Sequence, residues 1–407
     1  MPDWTIDRDE YLTAVSKLLD YCRREHWRGY DPYDGLNSPL TRVLPRTKFF
    51  RTAFTQFVKR SPINLRQILG IRKQVNPKGV ALGLRAIALL VSSGIQARRA
   101  VNEQSDGLTQ LDSDLNLLTE ELLAARVANE DLPCWGYNFD WQSRAFFAPR
   151  NTPNVVCTTT VANALLDRYE LDGSERALEA AVGSCRFLAD RINRTEDGES
   201  FCFSYTPLDR SAVHNVNMLG AGLLARAHKL TGEAVFRELA LSAASYTLSR
   251  QRPDGEWFYG EGANQRWIDS FHTGFILVSI RRMIEDLGTL DWAGVLDKGY
   301  EFYTERFFLA DGTPGYYHDR LYPIDVHSAA QAVITFCEMT DLKPNATMLA
   351  TRAVEWATKN LQAPAGYFYF QRHRAYTNKI PYMRWSQAWM LYALSLYLTK
   401  SMGRNDV

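Results

Sequence analysis

The chain has 407 residues, 46% of them hydrophobic and 23% charged, with a formal net charge of +1. That balance excludes a disordered chain and gives no global field for nucleic acid. Aromatic residues reach 12%, with 10 Trp, 20 Tyr and 20 Phe. This is more than a core needs, and it predicts a ring-lined cleft.

The opening residues, MPDWTIDRDEY, carry no basic-then-apolar leader pattern. The best apolar run, Gly79 to Ile95, contains Arg85 and is too short to span a bilayer. A cytoplasmic protein is the default expectation. Cys22, Cys134, Cys157, Cys185, Cys202 and Cys337 form no CxxC pair, and small buried thiols are expected rather than disulfides or metal ligands.

Charge is unevenly distributed. From Gly35 to Asn102 there is no Asp or Glu, against thirteen Lys or Arg; the rest of the chain holds 34 basic and 46 acidic residues. Within this stretch Phe50, Phe54, Phe57 and Val58 fall at i, i+4, i+7 and i+8, flanked by Arg51, Lys59 and Arg60. Residues 1–75 are read as a basic helical extension. Residues 42–73 are a candidate contact for an anionic membrane surface, which would make the protein peripheral at the inner membrane. The competing expectation is a helix that packs its Phe face on the domain and leaves its charges in water.

A repeat then takes over. Asp197-Gly198, Asp254-Gly255 and Asp311-Gly312 each open an aromatic turn, and both intervals are 57 residues. Looser copies are Ala365-Gly366 in AGYFYFQ and Trp135-Gly136 in WGYNFDW. Each turn precedes a small-residue helix start: NVVCTTTVANALL, HNVNMLGAGLL, DSFHTGFILVS, DVHSAAQAVIT and RWSQAWMLYAL, with an earlier copy from Asn76. Amphipathic helices alternate with them, as at 174–192, 233–250, 295–308 and 346–361. Six tight inner helices and six outer ones make an all-α (α/α)6 toroid over residues 76–407, with short rim strands; an open solenoid is the competitor.

This alternation resembles the six-hairpin toroids of carbohydrate-active enzymes, over roughly residues 76 to 400. The resemblance implies a sugar-binding cleft, aromatic and acidic, at the ring's centre. More narrowly, WRGYDPYDGLNSP, WGYNFDW, TPNVVCTT and WIDSFHTGF are similar to a bacterial family found with exopolysaccharide gene clusters. Its members often carry the label delta-aminolevulinic acid dehydratase. No zinc-cysteine cluster or Schiff-base lysine motif accompanies that label here.

Two points of the repeat join a carboxylate to an imidazole: Asp269 with His272, and Asp325 with His327. Glycoside hydrolysis uses two carboxyl groups flanking the bond, whereas epimerisation or elimination uses a base such as His. All four are candidate catalytic residues, and each Asp is equally readable as a helix N-cap. Asp140, between aromatic neighbours and near Arg144, is a further candidate acid or a loop ion pair. His214, Asn215 and Asn217 are candidate hydroxyl-binding groups. Arg384 and Gln387 repeat that pattern, with Arg384 suited to a carboxylate or phosphate. Trp141, Trp257, Tyr259, Trp267, Tyr317 and Trp385 would supply stacking faces. No cofactor and no metal is expected, because Asp269 and His272 lack a third ligand and no P-loop or GxGxxG occurs.

The leading functional expectation is a hydrolase or lyase acting on a bacterial polysaccharide or its lipid-linked precursor. A sugar epimerase, a non-catalytic glycan scaffold and a terpenoid-cyclase-like toroid stay open. The last rests on QRPDGEW, which resembles the Gln-Trp repeats of that group.

Overall fold

Small residues let helices approach closely, and the segments rich in them form the inner wall of a ring. The computed structural model describes residues 8–43, 45–94 and 106–402; Arg98 and Arg99 of the basic stretch lie outside them. The described helices are α1 (Arg8–Arg24), α2 (Lys48–Arg60), α3 (Pro77–Ser92), α4 (Asp106–Ala124), α5 (Val155–Asp172), α6 (Glu175–Arg191), α7 (His214–Thr231), α8 (Ala234–Leu248), α9 (Ser270–Leu287), α10 (Ala293–Phe307), α11 (Val326–Glu338), α12 (Ala346–Leu361) and α13 (Ala388–Met402). The inner helices α3, α5, α7, α9, α11 and α13 each pack on the next, and α13 packs back on α3, which closes the ring. Strands are confined to two- and three-stranded pieces at the rim. The expected all-α toroid is therefore the fold.

Outer helices α4, α6, α8, α10 and α12 follow their inner partners in sequence, and α1 supplies the sixth, against α13. The repeat chemistry shows that α1 is a true member of the outer ring. Gly255 has φ +99 and lies so close to the Lys298 carbonyl of α10 that a Cβ would sit 2.3 Å from it. Gly366, with φ +97, seats on the Lys17 carbonyl of α1 in the same way, at 2.4 Å. Four residues upstream, Gln251 donates to the Gly255 and Val295 carbonyls, and Gln362 donates to those of Gly366 and Ala14. The Gln of QRPDGEW is thus a bolt between a turn and the next outer helix. One hydrophobic core runs from Tyr11 to Leu398, so the boundary expected at 75/76 does not separate two cores.

The six cysteines are free and buried. No helix among the described residues is long and apolar enough to cross a membrane.

Candidate functional site at the mouth of the ring

Inner helices begin at the mouth with polar caps. Asn76, Asn154, Asp269 and Asp325 each accept a backbone N–H from the first turn of their helix, which satisfies an otherwise orphaned donor. The two aspartates differ in everything beyond this shared role.

Asp325 is a buried knot. Its Oδ1 accepts from the His327 N–H at 2.8 Å and the Trp385 indole at 2.9 Å, and its Oδ2 accepts from Gln371 at 2.6 Å. Burial raises its pKa, and those hydrogen bonds offset part of the rise. Asp269 caps with Oδ1, 3.0 Å from the His272 N–H. Its Oδ2 lies 2.7 Å from His272 Nδ1 and 2.8 Å from the Trp267 indole nitrogen. A carboxylate only accepts, so Nδ1 of His272 carries a proton, and in the neutral form of the ring the lone pair is on Nε2. The His272 side chain is 22% exposed, while that of Asp269 is fully buried. The expected acid–base pair of Asp269 and Asp325 is therefore not what the ring presents. Both carboxylates are engaged in caps, and the group turned toward solvent is the imidazole of His272.

Around it the aromatic rim assembles. Tyr259 stacks on Trp267 at 4.3 Å and lies 4.6 Å from the His272 ring. Arg144 covers the Trp267 ring at 4.3 Å. Tyr317 leans on Tyr316 and carries Arg320 over its face. Trp141 packs on Tyr205 at 4.8 Å, and the Tyr205 hydroxyl bonds that of Tyr137. Asn215 has a buried carbonyl oxygen with no hydrogen-bond partner among the described residues and shares a small recess with Tyr259, Asp269 and His272.

Deeper in the ring His327 lies between Phe271 and Trp389, at 4.7 and 4.6 Å, with Trp385 edge-on at 4.6 Å. Among the described residues, neither of its ring nitrogens has a partner. Burial and then the charge of Lys78 lower its pKa well below the ordinary value, so it is neutral. Lys78 was not among the expected site residues. It stands two positions after the cap Asn76, as His327 stands two after Asp325; that shared phase could have found it. Its ammonium lies 5.1 Å from the Trp389 ring centroid.

Asp31 of WRGYDPYDGLNSP was missed as well. Both its carboxylate oxygens take the guanidinium of Arg384, through Nε and Nη2. Arg66 extends the network to Asp34, the Asp31 carbonyl and the Tyr382 hydroxyl. Tyr33, with Lys59 bonded to its hydroxyl at 2.8 Å, rests against Trp385. Asp31, Tyr33, Lys59 and Arg66 thereby tie the N-terminal segment to Arg384, Trp385 and Tyr382.

Several expected binding residues serve the scaffold instead. Asn217 accepts from the Phe203 N–H and donates to Ala243 and Thr247. Gln387 likewise clasps the Phe368 backbone through both amide atoms. These amides latch the preceding aromatic turn onto the inner helix. Trp257 is buried and donates to the Thr247 carbonyl. His214 is buried against Glu261, 2.8 Å from Nε2. Asp140 accepts the Arg150 N–H and lines a separate groove with Arg46, Arg51 and Phe147. Among the described residues, no group of three His, Cys, Asp or Glu side chains could hold a metal ion.

Neither a family model nor a curated protein matches the chain. Solved structures do. The cellobiose 2-epimerase of Bacillus thermoamylovorans aligns with a TM-score of 0.61 at 9% identity, over 82% of this chain and 90% of that one. An unsaturated glucuronyl hydrolase from Streptococcus agalactiae gives 0.58 at 13%, over 97% and 92%. The GH76 alpha-mannanase of Bacteroides thetaiotaomicron gives 0.55 at 13%, over 81% and 87%. At such identities these likenesses establish the shared toroid fold and leave the reaction to the site itself.

Proposed function

We propose that this chain is a carbohydrate-active enzyme whose chemistry is proton transfer at a sugar carbon, of the epimerase or lyase type, with His272 as base. One observation carries the reading: the Asp269–His272 pair, which fixes the tautomer and leaves Nε2 free beside a stacked Tyr259–Trp267 platform. In epimerisation, Nε2 would take the proton α to the open-chain carbonyl, and a proton drawn from solvent would return on the other face. In elimination, Nε2 would instead take the proton α to a uronate carboxylate, and the β-oxygen would leave with a proton from solvent as the C=C bond forms. The structural likeness to sugar-processing toroids supports a carbohydrate substrate. Hydrolysis by an Asp269/Asp325 pair loses support because both carboxylates are occupied. The test is exchange in deuterium oxide, with cellobiose and a galacturonate trimer as probes. Cellobiose should gain deuterium at one carbon, or the trimer should be cleaved to an unsaturated uronate, and His272→Gln should slow the reaction about 10²–10⁴-fold. Bond cleavage by water with no carbon-bound deuterium would overturn the reading.

The partner surface belongs to the same proposal. Helix α2 turns Val58 and Thr55 inward, but Phe49 and Phe57 outward, 76% and 58% exposed. Ile68 beyond it is 84% exposed. Exposed Arg42, Arg46, Lys48 and Arg60 surround these side chains. The competing expectation, in which the Phe face packs on the domain, accounts only for Phe54 and Val58. An apolar face ringed by cations and without acidic residues fits an anionic bilayer surface, and would suit a lipid-linked precursor. Vesicles containing phosphatidylglycerol should co-sediment the protein at low salt and less so at high salt, whereas phosphatidylcholine alone should not. The double variant Phe49→Glu with Phe57→Glu should lose binding. If it binds as the parent does, or if the face instead makes a concentration-dependent dimer, lipid is not its partner.

A further inference from the structure

Buried cations need counter-charges, and the carboxylates at the centre of this ring are already engaged by other partners. Lys78 and Arg384 are both buried, at 4% exposure each, and near neighbours: a Cβ on Gly79 would lie 3.3 Å from the Arg384 Cα. Asp31 occupies Nε and Nη2 of Arg384. Among the described residues no hydrogen bond reaches Arg384 Nη1 or Lys78 Nζ. Of the other nearby carboxylates, Asp34 is taken by Arg66, and Asp325 by the His327 N–H, the Trp385 indole and Gln371. His327, which senses the charge of both Lys78 and Arg384, adds two unpartnered ring nitrogens in an otherwise aromatic wall. An arrangement with unspent donors costs stability unless something arrives to use them.

We infer that this centre is an anion subsite, in which Lys78 Nζ, Arg384 Nη1 and His327 receive an acidic group of the substrate. The inference rests on the sugar-site reading of the mouth and narrows it to acidic sugars, whether the charge is a uronate carboxylate or a sugar phosphate. The fixed edge of Arg384 suits either oxyanion. Lys78 adds a switchable charge. Burial first, and then the adjacent Arg384, lower its pKa to about 7, while Cys157 and Asp31 pull the other way. An incoming anion restores the proton. Binding above pH 7 therefore takes up a proton, and affinity should fall about tenfold per pH unit beyond that point. Cys157 is held protonated by burial in this range, and Arg384 keeps its charge, so Lys78 is the group that titrates.

Calorimetric titration of the full chain with D-glucuronate, glucose 1-phosphate, glucose and inorganic phosphate tests this, at pH 6.5 and 8. At least one acidic sugar should bind tenfold or more tighter than glucose, and more weakly at the higher pH. Lys78→Met should erase the preference without unfolding the protein, and His272→Gln should keep it. Preference for glucuronate alone assigns the subsite to a carboxylate, and preference for glucose 1-phosphate alone to a phosphate. Equal binding of glucose and both acidic sugars, or an unchanged preference in Lys78→Met, would overturn the anion subsite while sparing the sugar reading. Phosphate binding that requires Lys78, with no sugar bound, would keep the subsite and sink the sugar reading.

Discussion

Asp269 and Asp325 look interchangeable in sequence, yet asparagine should separate them. In Asp269→Asn one amide atom can still accept the His272 N–H, but its NH₂ would then face both His272 Nδ1 and the Trp267 indole. The imidazole would be driven to its other tautomer, and Nε2 would lose its lone pair. Turnover should fall as steeply as for His272→Gln while the fold survives. In Asp325→Asn the new NH₂ can turn to Gln371, whose amide flips to accept it, while the Asn carbonyl keeps the His327 N–H and the Trp385 indole. Stability should change by less than about 1 kcal/mol with the rate per folded molecule kept. Chemical denaturation and steady-state rates on the two variants check this. Lys78 makes a prediction of opposite sign. Its folded pKa of about 7 lies below the ordinary 10.5, so between those values the unfolded chain binds more protons. Its contribution to stability should therefore rise with pH from about 7 to about 10.5. Lys78→Met should flatten that slope and remove a buried charge, so unfolding curves at pH 7 should show it no less stable than the parent.

At the scale of single elements, the turns carry the repeat. Gly198 and Gly255 occupy equivalent places, both with positive φ, but a Cβ at Gly198 meets nothing within 4 Å while one at Gly255 meets the Lys298 carbonyl. Gly255→Ala should cost more than Gly198→Ala, by about 1–3 kcal/mol, since the first adds a backbone clash to the shared strain. Denaturant midpoints on the pair would show it. These turns were legible in sequence because Gly and aromatic spacing repeat every 57 residues, and so were the inner helices that follow. Helix α2 was half legible. Its Phe and Val spacing identified a helix, but periodicity could not say that Phe49 and Phe57 face outward while Val58 packs, because apolar residues lie on both sides. The residues of the proposed site differ in how far the sequence displays them. Asp269 and His272 announced themselves by phase. Lys78 was hidden among thirteen basic residues, and Asp31 reaches Arg384 across 353 positions, a pairing that no local pattern encodes. Asn217 and Gln387 were misread because polar residues at helix starts serve backbone latches as readily as substrates.

For the whole molecule, α1 completes the outer ring against α13 and the aromatic turn before it. Tyr11 meets Tyr397 of α13 edge-on at 5.6 Å, and Tyr21 meets Tyr367 of that turn at 5.3 Å. In a closed ring each sector leans on two others, so damage in one should be felt everywhere. Leu18, fully buried on α1, tests this. Leu18→Ala should cost about 2–5 kcal/mol and move the unfolding midpoint of the opposite wall, read from a fluorophore on α8, by the same amount as one on α1. A midpoint that shifts only at α1 would mean that the sectors melt independently.

The pairing of α1 with α13 also sets a timetable during translation. The first outer helix leaves the ribosome with an apolar stripe that includes Val15, Leu18 and Leu19, and the helix it must cover is made more than 360 residues later. At about 5–20 residues per second, that stripe waits roughly twenty seconds or more for its partner. Throughout that interval a chaperone is the natural cover for it.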